Sequence, residues 1–280
     1  MTQTATVDRL TVYPIKSLDG HSVAQVELVT NGGLAGDREY ALFDSGSDYV
    51  NGKRETQVHP LSASYDTESA SVESVTLSAP ETASHTFGLS SKVDTAGPTA
   101  LTDWLTDYFG YPVTLQRNRE GGFPDDTEAS GPTIISTATI ETVASWFDGI
   151  SPNEMRRRLR ANIEIGGVDA FWEDRLFADR SHQVEFTIGG VAFFGVNPCQ
   201  RCVVPTRDPD TGAVYDGFQE TFIKQRRATM PEWSGGDWFD HDFRLMVNTD
   251  VPESSWGKRI AVGDTVEIGE PVKITETASN

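Results

Sequence analysis

The chain has 280 residues, enough for one large folded domain or two smaller ones, and its fourteen Phe and six Trp supply material for substantial cores. Forty-two acidic against 23 basic residues give a net charge of -19, which excludes a general nucleic-acid binder because a phosphate backbone would be repelled over most of the surface. Two cysteines are too few for a disulfide framework, and no stretch has the length and apolarity of a membrane-spanning helix.

The opening MTQTATVDRLTVYPIKS lacks the basic start and apolar run of a signal peptide, so a cytoplasmic protein is expected. Residues 8 to 16 read as a strand ending at Ser17-Leu18-Asp19-Gly20, residues 22 to 30 as a second ending at Asn31-Gly32-Gly33, and residues 38 to 43 as a third. Between 62 and 98 the pattern weakens to edge strands around Val75 to Leu77 and His85 to Phe87. Residues 100 to 109 place Leu101, Trp104, Leu105, Tyr108 and Phe109 on one helical face, with Thr99 or Thr102 as candidate cap and Gly110 as the stop. A strand over 111 to 117 follows.

Apolar residues nearly vanish from Glu120 to Gly131, which marks a loop or linker. Residues 132 to 136 then predict a strand, 137 to 147 an amphipathic helix started near Thr137, and 152 to 160 a basic helix capped by Ser151. Further strands are expected over 161 to 165, 182 to 188, 191 to 196, 243 to 247 and 264 to 268, with a short helix over 219 to 226 and an aromatic loop over 231 to 240. This is a mainly β chain with α elements, an α+β class, cut somewhere near 115 to 130.

Only six of the basic residues are lysines, at 16, 53, 92, 224, 258 and 273. An acidic, lysine-poor surface of this kind suits a halophilic setting, where salt screens self-repulsion.

The chemistry-bearing stretch is Asn197-Pro-Cys-Gln-Arg-Cys-Val-Val-Pro-Thr-Arg-Asp-Pro-Asp-Thr-Gly212, which holds both cysteines in a turn-rich segment. A zinc site wants about four ligands, and no second Cys pair exists to join Cys199 and Cys202, although His182 and His241 are available. A thioredoxin-like pair wants a helix immediately downstream, which Pro205 and Pro209 obstruct. Two ordinary thiols in a turn remain an alternative. So does a single thiolate holding a soft metal whose other ligands arrive with an anionic cofactor. That option asks for Lys, Arg, Ser, Thr and Asn in separate loops. Lys16 and Ser17, Arg38, Ser136 and Thr137, and Arg160 with Asn162 are the candidates. Each also has a plain structural reading: Lys16 at a strand edge, Arg38 paired with Asp37 or Glu39, Thr137 as a cap, and Arg156 to Arg160 as a solvated face.

Five ordered blocks, VYPIKSLDG (12 to 20), GLAGDREYALFD (33 to 44), FPDDTEASGPTIISTATIETVASWF (123 to 147), RRRLRANIEIGG (156 to 167) and NPCQRCVVPTRDPDTG (197 to 212), make the chain resemble the two-part MOSC proteins. These are related to the C-terminal domain of molybdenum cofactor sulfurases and are similar in layout to mitochondrial amidoxime-reducing components and their bacterial counterparts. The resemblance implies an N-terminal MOSC β-barrel-like domain over 1 to 120 and a MOSC β-barrel domain over 121 to 272, a layout that allows interleaved chain segments, with the molybdenum cofactor (Mo-molybdopterin) held between them. It implies Cys202 as the metal ligand, and Lys16, Ser17, Arg38, Ser136, Thr137, Arg160, Asn162 and Thr206 around the cofactor. Asp208 is implied beside the metal as a catalytic or proton-relay group. Arg160-Ala161-Asn162 stands where the family often has Arg-Pro-Asn. The implied activity is reduction of small N-hydroxylated substrates with electrons from a separate donor protein, and the alternative is a cofactor or sulfur carrier. Pyridoxal phosphate binding accompanies the family as a further association.

Overall fold

The computed structural model describes residues 4–68, 71–89, 99–234 and 237–274. In chain order these form β1 (Thr6–Val12), β2 (His21–Val23), β3 (Gln25–Glu27), β4 (Tyr40–Asp44), β5 (Ser62–Glu68), β6 (Ser71–Ser78), β7 (His85–Gly88), α1 (Thr99–Phe109) and β8 (Val113–Arg117). There follow β9 (Ile134–Ser136), α2 (Thr137–Ala144), α3 (Pro152–Leu159), β10 (Ile163–Gly166), β11 (His182–Ile188), β12 (Val191–Gln200), α4 (Phe218–Ala228), β13 (Arg244–Asp250), β14 (Arg259–Ala261) and β15 (Val266–Lys273). The expected mainly β, α+β architecture is what forms. Part of the weak 62 to 98 stretch, residues 69–70 and 90–98, lies outside the described residues, as do Gly235 and Gly236 of the aromatic loop.

One eight-stranded sheet, in the order β15-β11-β12-β13-β9-β10-β1-β2, is the frame. The first strand of the chain is inserted there: β1 runs antiparallel to β10, with Leu10 opposite Ile163, and β10 lies parallel to β9. Parallel neighbours need a crossover, and α2 and α3 provide it. The sheet curls until Thr6 bridges Thr265, with Val266 N donating to Ala5 O at 2.9 Å, but among the described residues no continuous ladder closes it into a barrel. Leu10, Ile163, Phe186, Phe193 and Val247 fill the core on this sheet.

A second core, built from residues 15 to 115, packs α1 through Leu101 and Leu105 against Leu42, Leu77 and Leu115 of the smaller sheets β5-β6-β7 and β4-β8. A third packs α2, α3 and α4 through Ile140, Met155, Phe218 and Phe222. These apolar positions recur at helical spacing, which is why each helix folds onto a core rather than standing alone.

Several expectations move by local physics. The 22 to 30 strand splits at Ala24, because β2 pairs with β1 while β3 pairs with β14. Ser136, not Thr137, caps α2: its Oγ accepts from Thr139 N at 3.0 Å, and the helix stops at Ala144. Ser151 caps α3 as expected, accepting from Glu154 N at 3.2 Å with Pro152 in the first turn. Thr102 is no cap, since its hydroxyl donates back to Thr99 O at 3.0 Å. β12 runs on to Gln200, so Cys199 belongs to a strand rather than to the loop. Register shifts between Gly195 and Asn197 and between Pro198 and Gln200 let Pro198, which has no N–H, sit in that strand beside β13.

Candidate functional site

A cavity of about 1060 Å³ opens where the β1–β2 turn, the 121 to 133 segment, the end of α3 and the end of β12 meet. Eleven of the chain's 23 basic residues line it, against seven of the 42 acidic ones. In a chain of net charge -19 this is a concentrated positive site, and it attracts anions where the remaining surface repels them.

Three of its wall residues, Ser17, Arg38 and Arg160, carry positive backbone φ angles of 75°, 50° and 60°. Left-handed backbone at residues other than Gly persists only where surrounding contacts enforce it. For Arg38 those contacts are a donation from its N–H to Tyr13 O at 2.7 Å and from Phe123 N to its carbonyl at 2.8 Å. Arg160 takes its angle as the C-cap of α3, donating its N–H to Arg156 O. The buried Tyr13 ring lies between the two guanidiniums, with Arg160 at 4.1 Å and Arg38 at 5.7 Å from its centroid. Burial raises the Tyr13 phenol to about 12, the two arginines opposing, so it stays neutral.

Lys16 is buried, and its ammonium contacts Asp125 Oδ1 at 2.7 Å, Phe123 O at 2.9 Å and Pro124 O at 3.3 Å. Burial lowers its pKa against the opposing pull of Asp125. His59, whose Nε2 lies 3.1 Å from Gly52 O, is lowered chiefly by burial as well.

The two thiols are free, partly buried and on the cavity wall. Arg201 Nη1 donates to Cys199 Sγ at 3.3 Å and its Nη2 to Leu159 O at 2.9 Å, which ties the cysteine segment to α3. Arg158 makes the larger tie, donating to Pro205 O at 3.0 Å and Arg207 O at 2.6 Å. The Nε atoms of Arg201, Arg207 and Arg244 are buried with no hydrogen-bond partner among the described residues, and all three residues line the cavity. The concentration of guanidinium groups along this wall suits an anionic guest with several acceptors. Among the described residues no group of three His, Cys, Asp or Glu side chains comes together to hold a metal ion. A metal at this site has to bring most of its own ligands, as a dithiolene-borne ion does, and a lone thiolate fits that requirement.

Of the ten residues that the resemblance implies for the cofactor, the metal and its neighbour, Lys16, Ser17, Arg38, Arg160 and Cys202 line the cavity together. The others lie behind or away from it. Buried Asn162 spends its amide on Thr11 O (3.1 Å) and Asp37 Oδ1 (3.0 Å) while Thr133 donates to its carbonyl oxygen, so it sets Asp37, which in turn pairs with Arg38. Ser136 is buried in the α2 cap, and Thr137 donates to Asp8 Oδ2 at 2.9 Å beside a separate shallow hollow. Thr206 donates to Val203 O at 2.7 Å inside its own turn. Asp208 Oδ1 accepts from Asp210 N, Thr211 N and Thr211 Oγ1. Burial works against the charge of Asp208, but these hydrogen bonds outweigh it and hold the carboxyl below its usual range.

The 120 to 131 segment, expected as a loop or linker, is a loop, and sequence reasoning missed that it forms one wall with Asp125, Asp126 and Ser130. Its Asp126 Oδ1 accepts from the N–H groups of Glu128 and Ala129, a side-chain-built turn legible in the Asp-Asp-Thr-Glu text. Arg201, Arg207 and Arg244 were also missed.

Residues 4–112 match the MOSC N-terminal beta barrel domain and residues 133–267 the MOSC domain. Mitochondrial amidoxime reducing component 2 of Macaca fascicularis and of Homo sapiens are each 26% identical over 249 residues, covering 76% of this chain and 69% of theirs. Mitochondrial amidoxime-reducing component 1 of Homo sapiens is 26% identical over 243 residues, with the same shares of both chains covered. The solved YUAD protein from Bacillus subtilis aligns over 95% of both chains at 13% identity with a TM-score of 0.37, too low to carry an argument about this fold. The two domain matches and these relatives place the chain in the MOSC family, among members that join a MOSC N-terminal beta barrel domain to a MOSC domain.

Proposed function

We propose that this protein is a molybdenum-cofactor-dependent oxidoreductase that reduces small N-hydroxylated compounds, drawing electrons from a separate donor protein. The observation that carries the reading is a positive cavity with a free thiol on its wall in an otherwise strongly acidic chain. When bound, the cofactor supplies a two-electron centre that cleaves an N–O bond. The overall balance is an N-hydroxy compound plus two electrons and two protons giving the N–H compound and water.

The chain's own residues have distinct tasks. Lys16, Ser17, Arg38 and Arg160 hold the anionic groups of the cofactor as fixed donors; the arginines move no protons, because a guanidinium stays charged at all relevant pH. Cys202 presents the thiolate. Asn162 and Asp37 aim Arg38, and Thr206 and Asp208, neither of which lines the cavity, shape the loop behind Cys202. Ser136 and Thr137 serve α2 and its surroundings rather than the cofactor. No described helix is long and apolar enough to cross a membrane.

The test is reduction of a simple amidoxime by the purified, molybdenum-loaded chain with an artificial electron donor. Turnover is expected, falling at least about a hundredfold in Cys202→Ser and less than about tenfold in Cys199→Ser. Inactivity at full molybdenum content refutes the reductase and favours a cofactor carrier. The reverse pattern between the two variants moves the ligand to Cys199.

A further inference from the structure

The Lys16 ammonium has three N–H donors, and all three are taken by one short stretch: Phe123 O, Pro124 O and the Asp125 carboxylate. The other oxygen of Asp125 faces Arg38 Nε at 3.7 Å, while Asp37 occupies Arg38 Nη1. The two cations best placed to hold an external anion are therefore bridged by an internal one. Lys16 has only 9% of its side chain exposed, whereas Asp125 keeps 61% exposed at the cavity mouth. The lysine is fixed, and the carboxylate is free to turn outward.

The backbone on either side does not need to move. Asn118 Nδ2 donates to Gly122 O at 2.7 Å, Phe123 N to Arg38 O at 2.8 Å, and Asn31 Nδ2 to Gly121 O at 3.1 Å. Beyond Asp125, the Asp126 carboxylate caps the next turn and Ser130 Oγ donates to Asn31 O. Between these anchors the Asp125 side chain makes its two ion pairs and no hydrogen bond to any other described residue.

We propose that Asp125 is a displaceable internal anion, seated between Lys16 and Arg38, that an incoming phosphate group must push aside to bind. The latch discriminates among ligands: an anion enters only if it replaces what the carboxylate gives both cations, which favours phosphate monoesters over weakly charged groups. This rests on the reading of the cavity as an anion seat and not on redox turnover. Burial opposes the Asp125 charge, but Arg38 and Lys16 outweigh it and hold the carboxyl well below the usual range, so the latch stays charged at neutral pH.

An internal competitor lowers apparent affinity by the fraction of time that the seat is open, so a latch closed about nine-tenths of the time costs about tenfold. Calorimetric titration of the full, phosphate-free chain with inorganic phosphate tests this. Asp125→Asn is expected to bind phosphate about threefold to tenfold more tightly, a gain that damage to the fold cannot produce. Asp126→Asn, which removes a charge from the same wall without touching either cation, is expected to change affinity less than about twofold. Unchanged or weaker binding by Asp125→Asn overturns the proposal, as does an equal gain in both variants. Should Asp125→Asn not fold, Asp125→Ser at this exposed position carries the same expectation. A phosphate gain without amidoxime reduction sinks the reductase reading alone. Reduction without the gain sinks the latch alone.

Discussion

Replacing Arg158 by Met should loosen the segment that carries Cys202. The guanidinium is 3% exposed and donates to Pro205 O, Arg207 O and twice to Glu154 Oε1, joining α3 to the turn behind the cysteines. Met keeps the apolar stem beside Phe218, whose ring lies 5.7 Å from the Arg158 guanidinium, and removes only the charge and its donors. Each hydrogen bond from a charged donor to a buried carbonyl contributes about 1.5 kcal/mol at the low end, so the two together lose about 3 kcal/mol. The Glu154 pair, 24% exposed on its acidic side, adds about 0.5 kcal/mol after screening. A total of about 3 to 4 kcal/mol stays within the range for breaking a buried ion pair. Urea denaturation monitored by Trp fluorescence measures the loss. The rate of Cys202 modification by a thiol reagent, read in a Cys199→Ser background, should rise at least about tenfold as the turn opens locally. A loss below about 1 kcal/mol with an unchanged thiol rate would refute the view that Arg158 holds this loop.

Glu173 is fully buried beside Asp174, and burial followed by that like charge raises its carboxyl to about 7. A carboxyl raised above its unfolded value makes the native state bind the extra proton, so stability should fall as pH rises between about 4.5 and 7 and then level off. Glu173→Gln should remove that fall, with denaturation midpoints from pH 5 to 8 as the check; a wild-type profile flat over this window counts against the assignment. Gly122 has a φ of +65°, and a Cβ there would meet Arg38 O at 2.8 Å and Asp37 O at 2.9 Å. Gly122→Ala should cost about 1 to 3 kcal/mol and weaken phosphate binding by shifting Arg38, whereas wild-type stability and affinity would show that this contact yields freely.

Much of the architecture was legible where local signals agree. α3 combines a Ser151 cap, Pro152 in its first turn and Met155 and Leu159 on one face, and it forms as expected. α2 starts at Thr137 as expected, but its cap is Ser136: Ser and Thr are chemically interchangeable as caps, and only the acceptor geometry toward Thr139 N decides between them. The 22 to 30 stretch has strand periodicity throughout, yet its halves join different sheets, a tertiary choice that periodicity does not encode. Lys16, Arg38, Arg160 and Cys202 were brought together by family resemblance; nothing local says that positions so far apart in sequence share one wall. Asn162 illustrates the limit from the other side. Its type and position suggest a ligand-facing amide, but Thr11, Thr133 and Asp37, all distant in sequence, claim that amide for the frame. Asp125 went unnoticed because a turn-rich acidic stretch reads as solvated loop until Lys16 and Arg38 arrive from another part of the chain.

The proposed reductase depends on a Cys202 thiolate that completes the coordination of a cofactor-borne molybdenum. Molybdenum X-ray absorption on folded protein isolated from its own cells tests it most directly. About one molybdenum per chain is expected, with a sulfur shell that loses one scatterer in Cys202→Ser but not in Cys199→Ser. Folded protein without molybdenum, or a sulfur shell identical in wild type and Cys202→Ser, would contradict it.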